Sequence, residues 1–348
     1  MSPARPTAIR KVVAAPDKFK GTLGAAEAAT AIGHACWELG IDCVELPMAD
    51  GGDGLLEALG GANRESVVTG PLGDPVRAPW RYSRGVAVIE MARASGLVLA
   101  GGAERNDPIT ATTTGTGELI DRALDAGAER IIVGLGGSAT TDGGFGAIRA
   151  IPGIPRLSRV ELLVACDVTT RFTEAAEVFG PQKGATPTQV RLLTNRLTRL
   201  ADMYAEEFGH DVTDLPGSGA AGGLGGALAA VGGRLVPGVE LVADELDLFD
   251  HLEDADLVIT GEGTLDATSF AGKVVGGVLD IARAEGVPVA AVVGDVASGF
   301  SPPADLEVVS LVERFGRDRA LGQPKSCVEE LTRALLDPGR REAPVGGT

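Results

Sequence analysis

One pattern constrains this chain more than any other: a short apolar run, a glycine-rich corner and an amphipathic helix, recurring in that order. Residues 12–15 (VVAA) lead through DKFKG into a helix predicted over 24–39, which Gly40 ends before a strand at 43–46. The same grammar returns late in the chain. A strand at 257–260 runs into GEGTLD, a helix covers 274–284, strands follow at 288–293 and 306–312, and a helix closes at 327–336. Strands alternating with helices predict a mostly parallel sheet covered on both faces. Such sheets hold ligands at the carboxyl ends of their strands, where these corners fall.

The middle reads differently. Residues 65–102 hold short, proline-punctuated strand-like pieces, followed by a helix at 117–126, strands at 131–133 and 162–165, and a long helix over 188–208. The expected fold class is therefore α/β with two α/β domains. A Rossmann-like, mostly parallel domain is split into 9–64 and 245–337, and a second α/β domain, 65–244, is inserted into it. Two consecutive halves are the alternative. Residues 1–8 and 338–348 are expected to be disordered tails.

Charge narrows the partners. With 31 basic and 48 acidic residues the net charge is −17, which argues against nucleic acid and anionic membrane. An anionic small molecule would need local donors and a metal. The four cysteines show no CxxC spacing and read as free thiols of a reducing compartment. The apolar run at 12–16 is too brief for a secretory segment, and the uncharged stretch 215–233 carries eight glycines and is no membrane span. A cytoplasmic protein, monomer or homodimer, is expected.

Several chemistries are missing. No GxxxxGK[ST] occurs; Gly272-Lys273 lacks the upstream glycine and the hydroxyl. His34, His210 and His251 are isolated, which disfavours a triad or a histidine-bound zinc. A GxGxxG match at Gly217, Gly219 and Gly222, with Ser218 between, follows a proline loop rather than a strand. What is present is a set of glycine corners. GLGGSATTDGG (134–144) follows a strand and offers closely spaced amides with Ser138, Thr140, Thr141 and Asp142, a composition suited to a phosphate nest. TTTGTGELI (112–120) places hydroxyls at a helix start, where ordinary capping by Thr114 or Thr116 is the simpler reading. Of six lysines against 25 arginines, Lys18, Lys20, Lys183 and Lys273 lie beside glycine corners, as phosphate-contacting point charges would. Asp50 and Asp53 in MADGGDG, Asp167 in ACDV, and Glu262 and Asp266 in GEGTLD stand at predicted strand ends. There carboxylates hold Mg²⁺ or accept a hydroxyl proton, although any single one also suits a turn.

In this order, APDKFKGTL, PMADGGDG, GPLGDPV, IEMARASGL, TTGTGELI, GLGGSATTDGG, VACDV, VFGPQKGAT, GSGAAGGLGGAL and DLVITGEGTLD resemble the bacterial glycerate kinase family over residues 12 to about 295. The resemblance implies a two-domain enzyme with an interdomain active site, using ATP and Mg²⁺ to phosphorylate D-glycerate, mostly to 2-phosphoglycerate. The chain departs from the family in a short link at 146–160 and in the absence of an Asn-Pro-Leu-type turn after Asp167. It also carries Thr264 where many members have arginine, so that one cationic contact is either missing or replaced by Arg93 or Arg171. On this reading Gly136, Gly137, Ser138, Thr140, Gly217, Ser218, Gly219 and Gly222 hold ATP phosphates, and Asp167, Glu262 and Asp266 hold Mg²⁺. Lys20 and Lys183 stabilise the moving phosphoryl, and Lys18, Arg93 and Ser95 contact glycerate. Asp50, Asp53 or Asp142 takes the hydroxyl proton. The competing readings are a GHMP-type sugar or mevalonate kinase, the kinase of another small hydroxy acid, and an inactive homologue that binds a metabolite.

Overall fold

The computed structural model describes residues 9–337; the two expected tails lie outside them. In chain order its strands are β1 (Lys11–Pro16), β2 (Asp42–Glu45), β3 (Arg64–Thr69), β4 (Pro75–Ser83), β5 (Val86–Glu90), β6 (Arg130–Gly134), β7 (Glu161–Ala165), β8 (Arg234–Val236), β9 (Leu257–Leu265), β10 (Val289–Val296) and β11 (Leu306–Ser310). They divide between two compact units: the described residues up to Ala49 with those from Val242 onward, and Asp50–Leu241. The first is discontinuous and divides from the second at 49/50 and 241/242, where the sequence reading places 64/65 and 244/245. Residues 50–63 belong to the second unit for a local reason. The amides of Gly54 and Leu56 both donate to Glu90 Oε1 at 2.9 Å, and Asn63 N bonds Trp80 O at 3.2 Å.

The first unit is a wholly parallel sheet, ordered β2-β1-β9-β10-β11. Counted within the unit this is the doubly wound order 2-1-3-4-5, which places its switch point between β1 and β9. The apolar runs are continuous because both faces are covered. Val12, Ala14, Leu257 and Ile259 share a core with side chains of helices Ala25–Glu38 and Pro324–Leu336, while their neighbours Val13 and Val258 are equally buried. At the switch point the corners after β1 and within β9 touch. Asp17 N donates to Gly261 O at 2.8 Å, and a Cβ on Gly263 would stand 3.2 Å from Lys20 N.

The second unit carries a mixed sheet, β3-β4-β5-β6-β7-β8, antiparallel from β3 to β5 and parallel from β5 to β8. Helix Thr114–Asp125 contributes Leu119, Ile120 and Ala123 to a core with Ile89, Ile131, Val133 and Val164. Helix Pro187–Phe208 is well specified locally. Thr186 and Gln189 form a capping box, Pro187 opens the first turn, and Gly209 in the left-handed region ends it. Its Leu193, Leu197, Ala201 and Tyr204 form the buried stripe, and Tyr204 Oη donates to Gly143 O at 2.9 Å. The helix thereby fixes one end of the loop that follows β6. No helix among the described residues is long and apolar enough to cross a membrane.

Candidate functional site

The four parallel strands of the second unit end at one edge, and their exits carry most of the chemistry. After β6, Gly136 packs against Gly52: a Cβ on Gly136 would lie 2.8 Å from Gly52 Cα, so MADGGDG and GLGGS meet backbone to backbone. The loop tip is braced by two bonds, Leu97 N to Gly137 O (2.8 Å) and Ala139 N to Ser95 O (3.0 Å). The amides of Gly136, Gly137 and Ser138 donate to no group among the described residues. Three successive N–H groups of this kind make an anion nest.

Asp167 follows β7 and accepts from Gly238 N, after β8, at 2.8 Å. Gly238 abuts Asp50, since a Cβ there would meet Asp50 O at 2.1 Å. Burial pushes the Asp167 carboxyl up to about 7, the Gly238 bond opposes this, and the charge of Asp50 adds to it. Asp50 Oδ1 accepts from Gly52 N at 3.2 Å. Asp50 and Asp167 are thus a carboxylate pair that interact unfavourably as two charges. After β5, the nearly inaccessible Glu90 accepts from Gly54 N and Leu56 N through Oε1 and from Arg93 Nε (2.8 Å) through Oε2. Arg93 remains half-exposed, with Nη2 3.8 Å from Asp53. Sequence reasoning missed Glu90 and Gly238. Glu90 ends an apolar run, VAVIE, three residues before an arginine, and that spacing was the available signal.

In the first unit, Lys20 is exposed and its backbone touches the glycine corner holding Glu262. Burial pushes the Glu262 carboxyl up to about 7, with Ser269 and Lys273 opposing and Asp17 and Asp266 reinforcing. Among the described residues its buried Oε1 has no hydrogen-bond partner, an acceptor that an incoming cation or donor would satisfy. Lys18 is half-buried, its amide bonded to Asp17 Oδ1 at 2.7 Å.

Other expected site residues serve the framework instead. Asp142 is buried and accepts from Thr113 N (2.9 Å), Thr113 Oγ1 (2.8 Å), Gly144 N (3.1 Å) and Gly146 N (3.2 Å), which occupies it as an organiser of the loop rather than a base. Lys183 is buried and donates Nζ to Thr140 O at 2.6 Å; burial lowers its pKa to about 7 against the pull of Asp142, so it props the loop from behind. Thr140 is itself fully buried, with Oγ1 3.4 Å from Ala221 O. Gly217, Ser218, Gly219 and Gly222 are buried too. A Cβ on Gly219 would meet Arg171 O at 2.3 Å and one on Gly222 would meet Thr140 O at 2.0 Å, so backbone packing explains these glycines. Ser95 is buried, its hydroxyl 2.9 Å from that of Thr116. Asp266 caps the turn Ala267–Phe270 through Thr268 N (2.7 Å) and Thr268 Oγ1 (2.6 Å). Arg171 lies 3.6 Å from Asp214.

A family model described as "Glycerate kinase family" matches residues 12–154 and 152–336. The chain is 42% identical over 326 residues to the glycerate 2-kinase of Escherichia coli (strain K12), covering 82% of this chain and 85% of that protein. It is 43% identical over 326 residues to the glycerate kinase of Bacillus subtilis (strain 168), with the same 82% and 85% coverage. A crystal structure provisionally assigned as glycerate kinase 2 of Salmonella typhimurium LT2 superposes with a TM-score of 0.81 at 40% identity, covering 96% of this chain and all 100% of that one. Two α/β units with a doubly wound parallel sheet, the ordered glycine corners and these matches agree: the chain belongs to the glycerate kinase family.

Proposed function

We propose that this protein is an ATP- and Mg²⁺-dependent kinase that phosphorylates D-glycerate at its 2-hydroxyl. The observation that carries the reading is the unpartnered Gly136–Ser138 amide run beside the Asp50–Asp167 pair, at the ends of parallel strands. Phosphoryl transfer asks mainly for positioning and charge neutralisation, and these are the parts on hand.

The donor set fits magnesium. Two carboxylates that repel each other are hard oxygen ligands, and a divalent ion removes the repulsion. Asp50 and Asp167 would hold it, and the ion would neutralise charge on the phosphate oxygens. The amides of Gly136, Gly137 and Ser138 receive phosphate oxygens from one side. Arg93, aimed by the buried Glu90, pairs the glycerate carboxylate with its planar fork. Asp53, the exposed carboxylate on the same loop, takes the hydroxyl proton.

Phosphorus NMR of the product made from D-glycerate, ATP and Mg²⁺ tests activity, acceptor and position together. The expected spectrum shows 2-phosphoglycerate with stoichiometric ADP. A 3-phosphoglycerate signal would overturn the regiochemistry, and ATP left intact would overturn the kinase reading.

A further inference from the structure

The TTTGTGELI segment plays no part in the site above, yet it opens onto a cavity of about 570 Å³ within the second unit. That volume lies in the range of about 300–1,000 Å³ usual for small-molecule sites. Thr112 and Thr114 line it at the start of helix Thr114–Asp125, and Phe145 and Pro152 give it an apolar wall. Two guanidiniums also reach it. Arg149 stacks on the Phe145 ring at 5.6 Å and makes no ion pair or hydrogen bond among the described residues. Arg196 spends one nitrogen on Ile109 O (2.8 Å) and likewise has no ion-pair partner among them.

The acidic groups nearby are already engaged. Glu118 accepts from Thr69 N (2.8 Å) and Thr69 Oγ1 (2.7 Å). Asp142 accepts from the four donors described above. Asp107, close enough to feel the charge of Arg196, accepts from Ile109 N (3.0 Å) and Thr110 Oγ1 (2.8 Å). In a chain of net charge −17, two arginines left without carboxylate partners at a cavity are an unspent recognition element.

We infer that this cavity is a second oxyanion site, taking a small metabolite whose phosphate or carboxylate group bridges Arg149 and Arg196 while its body lies against Phe145. The dipole at the start of the 12-residue helix favours the same charge, beside Thr112 and Thr114, whose hydroxyls lie 2.7 Å from each other.

Calorimetric titration of the intact protein with inorganic phosphate and, separately, with malonate decides the matter, because it reads binding and not turnover. At least one probe should bind the wild type, and its affinity should fall at least about tenfold in Arg149→Ala, the loss expected for one charge-assisted contact. Asp167→Asn, at the reaction site, should leave that affinity within about twofold, the spread of independent sites. Phosphate binding alone would identify a phosphate ester as the natural ligand class, and malonate binding alone a carboxylate. Arg196→Met serves as the second variant, with its melting curve recorded because Arg196 also holds Ile109 O. Any isotherm owed to the Gly136–Ser138 amides and Arg93 is identified by its loss in Arg93→Ala or by its competition with ATP, and is subtracted. The absence of a remaining saturable isotherm, or one that survives both arginine variants, would overturn the inference. Failure of the glycerate kinase reading would remove the subtracted isotherm and leave the Arg149- and Arg196-dependent one unchanged.

Discussion

Asp167→Asn is expected to lower kcat on D-glycerate about 10³-fold, a loss of about 4 kcal/mol in transition-state stabilisation. The amide keeps the shape and can still face Gly238 N, but it cannot pair with Asp50 around a cation. The same variant should be more stable than the parent at pH 8, measured without divalent ions. The sign follows from linkage. The folded-state pKa of Asp167 is raised, to about 7 against an ordinary 3.8, so the folded protein holds a proton that the unfolded chain has released between those values. Wild-type stability therefore falls as pH rises from about 4 to 7, and the amide does not share that fall. A gain of about 1–3 kcal/mol at pH 8, shrinking towards zero near pH 4, is the expected result after allowing for solvent at a partly exposed group. Steady-state kinetics with parallel melts at both pH values checks it. Retained activity would remove Asp167 from the site, and a destabilised variant at pH 8 would show that its charge is satisfied in the fold.

The second large effect concerns stability. Asp142→Ala leaves Thr113 N, Thr113 Oγ1, Gly144 N and Gly146 N without their acceptor and deprives the buried Lys183 of the nearest compensating charge. Stranding buried donors and a buried cation together should cost about 3–5 kcal/mol. In a unit of this size that corresponds to a melting shift on the order of 10 °C. Activity should fall with it, because the loop presenting Gly136–Ser138 is held from this end. Thermal melts of Asp142→Ala and Asp142→Asn measure the difference, the amide being expected to lose distinctly less. A loss below about 1 kcal/mol for alanine would mean that other groups, Tyr204 Oη among them, hold the loop unaided.

The framework was legible because local and global preferences agree along it. Strand β1 carries the buried apolar run VVAA, and β9 opens on another, LVI, before its glycine corner, which is what burial on both faces demands. The meeting of MADGGDG with GLGGS was legible only as a shared composition; the contact itself rests on the missing Cβ atom of Gly136. Glycine serves two purposes that a sequence does not separate, approach to a ligand and approach to another backbone. Gly219 and Gly222 serve the second, and Gly217 holds a positive φ of 83°. Lysine carries a similar ambiguity. Lys183 adjoins a glycine, as a phosphate-contacting residue would, but tertiary packing places it behind the loop with Nζ 5.9 Å from the Phe179 ring centroid. Glu90 went unread for the opposite reason: within VAVIE a lone carboxylate looks like the polar end of a core strand. Its value comes from residues 54, 56 and 93, which only the fold brings to it.

A crystal grown with ADP, Mg²⁺ and D-glycerate tests the placement of the reaction most directly. Metal density bonded to carboxylate oxygens of Asp50 and Asp167 at about 2.0–2.1 Å, with phosphate oxygens on the amides of Gly136–Ser138, is the predicted result. Nucleotide and metal bound with no contact to either aspartate or to that amide run would contradict it.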